Sequence, residues 1–147
     1  MTEDEVCMHK VFNSLYRANH LAKKRLRLYT LNDLETYILI DIAFMEEVTQ
    51  KSLCNRLRAP KTTINNSIMN LKEKKLVELI PSKDDKRKKI LVLTEEGKAK
   101  TEKILLALDE SNQRIFDYMG YDNVEALRRS LSLFIEAISK EIILMKN

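Results

Sequence analysis

At 147 residues the chain has the length of one domain, or of one domain with an appended dimerisation element, and it can bury a core without help from metal or disulfide. Gly and Pro number two each, far below the roughly one residue in eight of average usage. That scarcity speaks against sandwiches, barrels and glycine-loop nucleotide folds and for a mostly helical chain. With 44% apolar and 33% charged residues, the composition is too apolar for disorder and too charged for membrane insertion.

The net charge of +4 hides a segregation. Residues 49 to 93 hold 12 Lys/Arg against 4 Asp/Glu, or +8, and the remainder is −4. A basic middle between acidic flanks is an electrostatic footprint suited to a polyanion. Uncharged apolar stretches such as Ser130–Ile135 are far too short to span a bilayer. The acidic start, Met1-Thr2-Glu3-Asp4-Glu5, reads as neither a secretory signal nor a transit peptide. Two cysteines, Cys7 and Cys54, give no disulfide framework. The expectation is a soluble, cytoplasmic protein with no membrane segment and no cofactor.

In chain order, Val11, Leu15, Ala18 and Ala22 repeat at 4, 3 and 4, which predicts a helix over about 6–28. Asn32 opens the next helix, with Glu35 three residues on completing an N-cap signature and Leu34, Tyr37, Ile38, Ile42 and Met45 as its apolar positions. Thr49 caps a very short helix whose Leu53, Cys54 and Leu57 are expected to face inward. Pro60 falls where a third helix would begin, its missing N–H harmless at the first helical position. The inner face of that helix is Ile64, Ile68 and Leu71. Two β-type runs follow, Val77–Ile80 and Ile90–Leu93, around the charged loop Ser82–Lys89. A helix over about 95–119 carries Ile104, Leu105, Leu108, Ile115, Phe116 and Met119. Asp122 and Glu125 offer a capping box for a last helix to about 145, with a stripe of Val124, Leu127, Leu131, Phe134, Ile138, Ile142 and Met145. The terminal helices are long and strongly apolar on one side, so packing against each other and a second copy is expected.

Helix, helix, helix, hairpin is the order of a winged helix-turn-helix. The predicted fold class is mainly α with a small β-hairpin wing, flanked by N- and C-terminal dimerisation helices. As one domain over 1–147, it would have dimerisation helices at about 6–28 and 98–145 and a DNA-binding lobe at about 31–94.

A two- or three-residue connection before the helix from 60 fits a motif whose second helix enters a major groove. On a helical wheel, Thr62, Asn66, Met69 and Asn70 lie opposite the buried face, with Lys61, Thr63 and Asn65 flanking the first turns. Carboxamides and hydroxyls are base readers, and residues 62–70 carry no charge, unlike an ordinary solvated helix dominated by Lys and Glu. The loop Ser82-Lys83-Asp84-Asp85-Lys86-Arg87-Lys88-Lys89 can reach a minor groove and neighbouring phosphates. Asp85 is expected to pair with Arg87 and hold its guanidinium in position. The expected DNA contacts are Lys61, Thr62, Thr63, Asn65, Asn66, Asn70, Lys83, Asp85, Lys86, Arg87, Lys88 and Lys89.

These residues resemble the MarR family of bacterial transcriptional regulators. The likeness runs from Leu31-Asn32-Asp33-Leu34-Glu35 through Thr62-Thr63-Ile64-Asn65-Asn66 and Leu71-Lys72-Glu73-Lys74-Lys75-Leu76-Val77. It is most specific from Ser82 to Gly97, with Asp85-Lys86-Arg87 and then Leu93-Thr94-Glu95-Glu96-Gly97. The resemblance implies a homodimer that acts on a pseudo-palindromic double-stranded operator as a ligand-responsive repressor, with Lys61 to Asn70 in the major groove and Arg87 in the minor groove. It departs from the family at Lys75, which stands where Gly is usual before Leu-Val and so fills a left-handed position at about 1 kcal/mol. Asn32 replaces the usual Thr and keeps capping ability. The resemblance also implies a small aromatic effector, for which Tyr16, His20, Tyr37 and Met45 are candidate crevice residues as well as ordinary packing residues.

Rival readings are weaker. No glycine-rich phosphate loop or nucleophile motif suggests an enzyme, so no catalytic residue is assigned. His9 and His20 lie eleven apart on one predicted helix, and no short-range ligand cluster suggests a metal site. Some relatives sense hydroperoxides through a cysteine in the N-terminal helix, which makes a thiol sensor at Cys7 an alternative. Tyr29 and Tyr37 are near it, but Asp33 occupies the place of one tyrosine partner, and an inert thiol is the simpler account. A winged-helix interaction module without DNA binding is the other alternative, against which the basic wing and carboxamide-rich helix argue.

Overall fold

The computed structural model describes residues 1–27 and 31–146, so Tyr29 and the end of the first predicted helix at residue 28 lie outside the described residues. Among the described residues, six helices and one hairpin follow the expected order: α1 (Glu3–Leu26), α2 (Asp33–Phe44), α3 (Gln50–Leu57), α4 (Lys61–Glu73), β1 (Val77–Pro81), β2 (Lys89–Leu93), α5 (Glu95–Met119) and α6 (Tyr121–Met145). Two compact units are described separately, residues 1–105 and the stretch from 106 onward.

In the first unit each helix start has a local cause. Thr2 and Glu5 form a capping box at α1, and Thr49 and Ser52 form another at α3. At α2, Asn32 Oδ1 accepts from the Glu35 N–H at 2.7 Å. The Glu35 carboxylate does not return to the Asn32 amide, however; it accepts from Lys74 Nζ at 2.7 Å across the fold. Pro60 is the N-cap of α4 and not its first helical residue, its carbonyl accepting from the Ile64 N–H at 3.0 Å.

The core gathers Ile38, Leu39, Leu53, Ile64, Ile68, Leu71, Val77, Leu91 and Ile104. For α4 the expected inner face is the buried one, with Ser67 added. For α2 it is rotated: Glu35, Thr36, Ile38 and Leu39 are buried, whereas Tyr37 and Met45 are exposed. The helix is apolar nearly all round, so spacing alone does not select its buried side.

Lys75 is left-handed (φ 57°), as the departure from Gly anticipated. It follows α4 in a Schellman arrangement, with Lys75 N–H donating to the Lys72 carbonyl and Leu76 N–H to the Leu71 carbonyl, both at 2.9 Å. The chain is thereby turned into β1, which pairs antiparallel with β2 from Val77↔Leu93 to Pro81↔Lys89. Gly97, in the first turn of α5, lies so close to this corner that a Cβ would stand 1.9 Å from the Leu76 carbonyl oxygen.

The second unit comprises the C-terminal part of α5 and all of α6, reversed at Gly120. Its φ of 78° and ψ of 155° are open only to glycine, and Phe116 and Tyr121 meet edge to face across the turn, centroids 6.4 Å apart. The predicted capping box does not form: Gly120 is the N-cap without a side-chain bond, and Glu125 pairs with Arg128 instead, because the turn brings a glycine to the cap ahead of Asp122. No residue of α6 is buried; Leu127, Leu133, Ile135 and Ile142 are exposed. No described helix is long and apolar enough to cross a membrane.

Candidate nucleic-acid interface

The turn between α3 and α4 is made by Arg58, held left-handed (φ 51°, ψ 36°), followed by Ala59 and Pro60. Two contacts fix α3 around it. Arg56 grips Asp41 of α2 with both Nε and a terminal nitrogen, at 3.0 and 3.2 Å, and Gln50 Nε2 donates to the Lys61 carbonyl at 3.4 Å. With Ile64, Ile68 and Leu71 seated in the core, rotation of α4 about its axis is fixed. Lys61, Thr62, Thr63, Asn65, Asn66, Met69 and Asn70 are all exposed. The far end of α4 is tied down by Lys74, whose ammonium meets the buried Glu35 carboxylate.

In the wing, Lys83, Asp84, Asp85, Lys86, Arg87, Lys88 and Lys89 are exposed and Ser82 is buried. Asp85 acts on Arg87, but through the backbone: its Oδ1 accepts from the Arg87 N–H at 2.9 Å, and its carbonyl accepts from the Lys88 N–H at 2.9 Å. It shapes the turn and does not hold the guanidinium, because an aspartate two residues ahead reaches the amide of a tight turn before it reaches a long side chain. At the base of the loop, Glu47 accepts from the Ser82 hydroxyl and from Lys88 Nζ at 2.9 Å. These two bonds, Ser82 foremost, hold the Glu47 carboxyl below the usual carboxylate range.

Helix-turn-helix and wing share a surface. A concavity of about 790 Å³ is lined by Thr49, Gln50, Lys51, Cys54, Lys61, Leu79, Lys88 and Lys89. It places the starts of α3 and α4 opposite the strands of the wing, with four lysines around an apolar floor. Gln50, Lys51 and Leu79 went unnoticed in the sequence, since periodicity tells which side of a helix is buried but not which exposed sides face one groove. Cys54 is half-buried in this wall and not sealed in the core as expected.

The other sequence candidates are dispersed. Met45 lines a second cavity, about 490 Å³, with Ile42, Glu47, Ile90, Leu91, Lys98, Thr101 and Leu105 among its neighbours. Tyr16 and His20 are exposed on α1 and Tyr37 on α2, and Cys7 is exposed near the start of α1. Among the described residues no group of three or more His, Cys, Asp or Glu side chains is arranged to hold a metal ion.

Residues 29–88 match the sequence model of the MarR family. No curated protein matches the chain. Among solved structures, the chain is similar to a MarR family regulator from Neisseria meningitidis, with 24% identity, a TM-score of 0.80, and 92% of this chain and 95% of that one covered. It is similar also to MepR from Staphylococcus aureus, solved in complex with DNA, at 19% identity and a TM-score of 0.72 over 87% and 94% of the two chains. A third likeness is to MarR from Staphylococcus aureus in complex with salicylate and kanamycin, at 25% identity and a TM-score of 0.72 over 95% and 97%. Sequence pattern and backbone thus agree: residues 29–88 carry the MarR family's sequence pattern, and the chain has the winged helix-turn-helix fold of these solved regulators.

Proposed function

We propose that this protein is a transcriptional regulator of the MarR family, a cytoplasmic homodimer that reads a pseudo-palindromic operator, represses by occluding a promoter, and releases DNA when a small aromatic effector alters the spacing of its two lobes. The observation that carries the DNA reading is the shared groove. Lys61 at the start of α4 and Leu79, Lys88 and Lys89 of the wing line one concavity, and the charge-free outer face of α4 runs on from Lys61 as the exposed basic loop does from Lys88, so a single duplex can meet both. Thr62, Thr63, Asn65, Asn66 and Asn70 would read base edges in the major groove. Lys61, Lys51 and Lys89 would meet phosphates, and Lys83, Lys86 and Arg87 would follow the backbone into the minor groove. The DNA complex of the structurally similar MepR supports this arrangement.

Support for the homodimer comes from α6, 25 residues long with an apolar stripe and no buried residue. A second copy would cover that stripe. The domain organisation we favour is one MarR-like unit over 1–147, with α1, α5 and α6 as the dimerisation region. The cavity beside Met45 and the salicylate complex of the similar MarR protein support the effector reading. No catalytic activity is assigned.

Selection of bound duplexes from a random library, followed by footprinting, tests the proposal. Two half-sites about one helical turn apart are expected. Protection of a single asymmetric half-site by one chain would contradict it.

A further inference from the structure

The neck of the wing is closed by a residue that lies outside it. Glu47 sits in the connection between α2 and α3 with a left-handed backbone, φ 50°, a conformation that sterics disfavour for any residue with a Cβ. Its carboxylate takes the Ser82 hydroxyl and the Lys88 ammonium together. Those two residues are the ends of the wing loop, joined by a hydrogen bond from the Ser82 N–H to the Lys88 carbonyl at 2.8 Å. Ser82 is only 2% exposed, so its hydroxyl has the carboxylate in place of water. One residue further, the Val48 carbonyl accepts from the Leu91 N–H at 2.7 Å. The two-residue segment therefore grips the hairpin twice, by a side chain at the loop and by backbone on β2. Arg87, the minor-groove candidate, is the residue immediately before Lys88.

The same ion pair alters the charge that the wing presents. A lysine whose ammonium is 2.9 Å from a carboxylate is neutralised locally and has no reason to displace counterions from a phosphate. A lysine without that partner would neutralise one more phosphate, and log affinity would then fall more steeply with log salt by about 0.9 for each.

We propose that Glu47 is a positioning residue for the DNA interface, fixing the angle at which the wing presents Arg87 and withholding Lys88 from phosphate. The wing then contributes to binding through its placement more than through its total charge. This inference rests on the DNA-binding reading above.

The test is fluorescence anisotropy over a salt series with two probes, a duplex recovered by selection from a random library and its scrambled sequence. Glu47→Gln keeps an acceptor for Ser82 but no charge for Lys88. Its salt slope should steepen by about one unit per chain, roughly two per dimer, with scrambled DNA bound more tightly at low salt. Glu47→Ala also loosens the neck, so in addition the preference for the selected duplex should fall about tenfold. Lys88→Ala alone should leave the slope as it is, and adding it to Glu47→Gln should return the slope to its original value. A purely structural role would change the active fraction or the thermal midpoint and leave the slope alone. An unchanged slope in Glu47→Gln, or a shallower slope in Lys88→Ala, would overturn the proposal while the DNA-binding reading stands. Absence of salt-dependent duplex binding by the unsubstituted protein would overturn both.

Discussion

Two neighbouring backbone positions show how single residues hold the lobe in shape. Gly97 admits no side chain, because a Cβ would press on the Leu76 carbonyl, which already accepts from the Thr94 N–H at 3.1 Å. Gly97→Ala should therefore destabilise the protein by about 2–4 kcal/mol, since backbone and not a flexible side chain must yield. Lys75 is the opposite case, a side chain where glycine would be at ease. Lys75→Gly should stabilise by about 0.5–1 kcal/mol once the greater freedom of the unfolded glycine is set against the relieved strain. Urea denaturation with an unchanged m-value reads both, and a destabilising Lys75→Gly would show that the lysine side chain matters more than its backbone. At the proposed interface, Asn66 and Arg87 should separate by mechanism. Asn66→Ala should lose about 1–3 kcal/mol on the operator, concentrated at one base pair, with nonspecific affinity nearly unchanged. Arg87→Ala should weaken operator and scrambled DNA together and make the salt slope shallower by about one unit for each phosphate the arginine had neutralised. Equal losses on both DNAs for Asn66→Ala, or an unchanged slope for Arg87→Ala, would show the roles to be wrongly assigned.

Between elements, a few polar ties fix what apolar packing leaves free to slide. The Lys74–Glu35 pair joins the end of α4 to the first turn of α2, and the carboxylate is almost wholly buried. Lys74→Met should leave that charge with no partner and destabilise by about 2 kcal/mol, whereas Lys74→Met with Glu35→Gln should recover part of the loss. Chemical denaturation of the double and the single variant checks this, and equal stability of all forms would mean that water replaces the lysine. The Glu47 tie at the wing has a pH signature. Its carboxyl is held below the ordinary range by the Ser82 and Lys88 bonds, so its stabilising contribution is complete at neutral pH. That contribution is lost only as pH falls from the ordinary glutamate range through the lowered native value. The stability difference between the unsubstituted protein and Glu47→Gln should thus hold steady from neutral to mildly acidic conditions and shrink toward zero below them. A difference that vanishes already near neutrality would mean that another group governs the neck.

For the whole molecule, the proposed dimer is the quantity to measure. Leu127 belongs to the apolar stripe of α6 and is half-exposed in a single chain, at 48%, so Leu127→Glu costs the isolated fold only the part of the side chain already covered. In a twofold dimer the residue would be buried twice, and each covered leucine is worth about 2 kcal/mol before the charge is counted. Sedimentation should therefore show a stable dimer at micromolar concentration for the unsubstituted protein and a shift toward monomer for Leu127→Glu, with helix content by circular dichroism retained. A folded monomer in the unsubstituted protein would remove the basis for a pseudo-palindromic operator.

Much of this was written in local chemistry. Asn32, Thr49 and Thr2 cap their helices through side-chain oxygens that need only the next three residues, and the 4–3 spacing of Ile64, Ile68 and Leu71 suffices to orient α4. The paired β-type runs are a short-range pattern too, whereas the left-handed backbone at Lys75 was anticipated only through the resemblance to the MarR family, in which glycine is usual there. What the sequence left open depends on who stands opposite. The buried side of α2 was misjudged because the helix is apolar around its circumference and its neighbours choose the face. Asp85 turned to an amide rather than a guanidinium, and Glu35 to Lys74 rather than to its own helix start, because a carboxylate goes to the donor that the fold brings nearest and driest. Glu47 and Ser82, thirty-five residues apart, carried no mark of their pairing. A hydrogen bond between distant segments has no sequence period, and only closure of the tertiary structure could bring its two halves together.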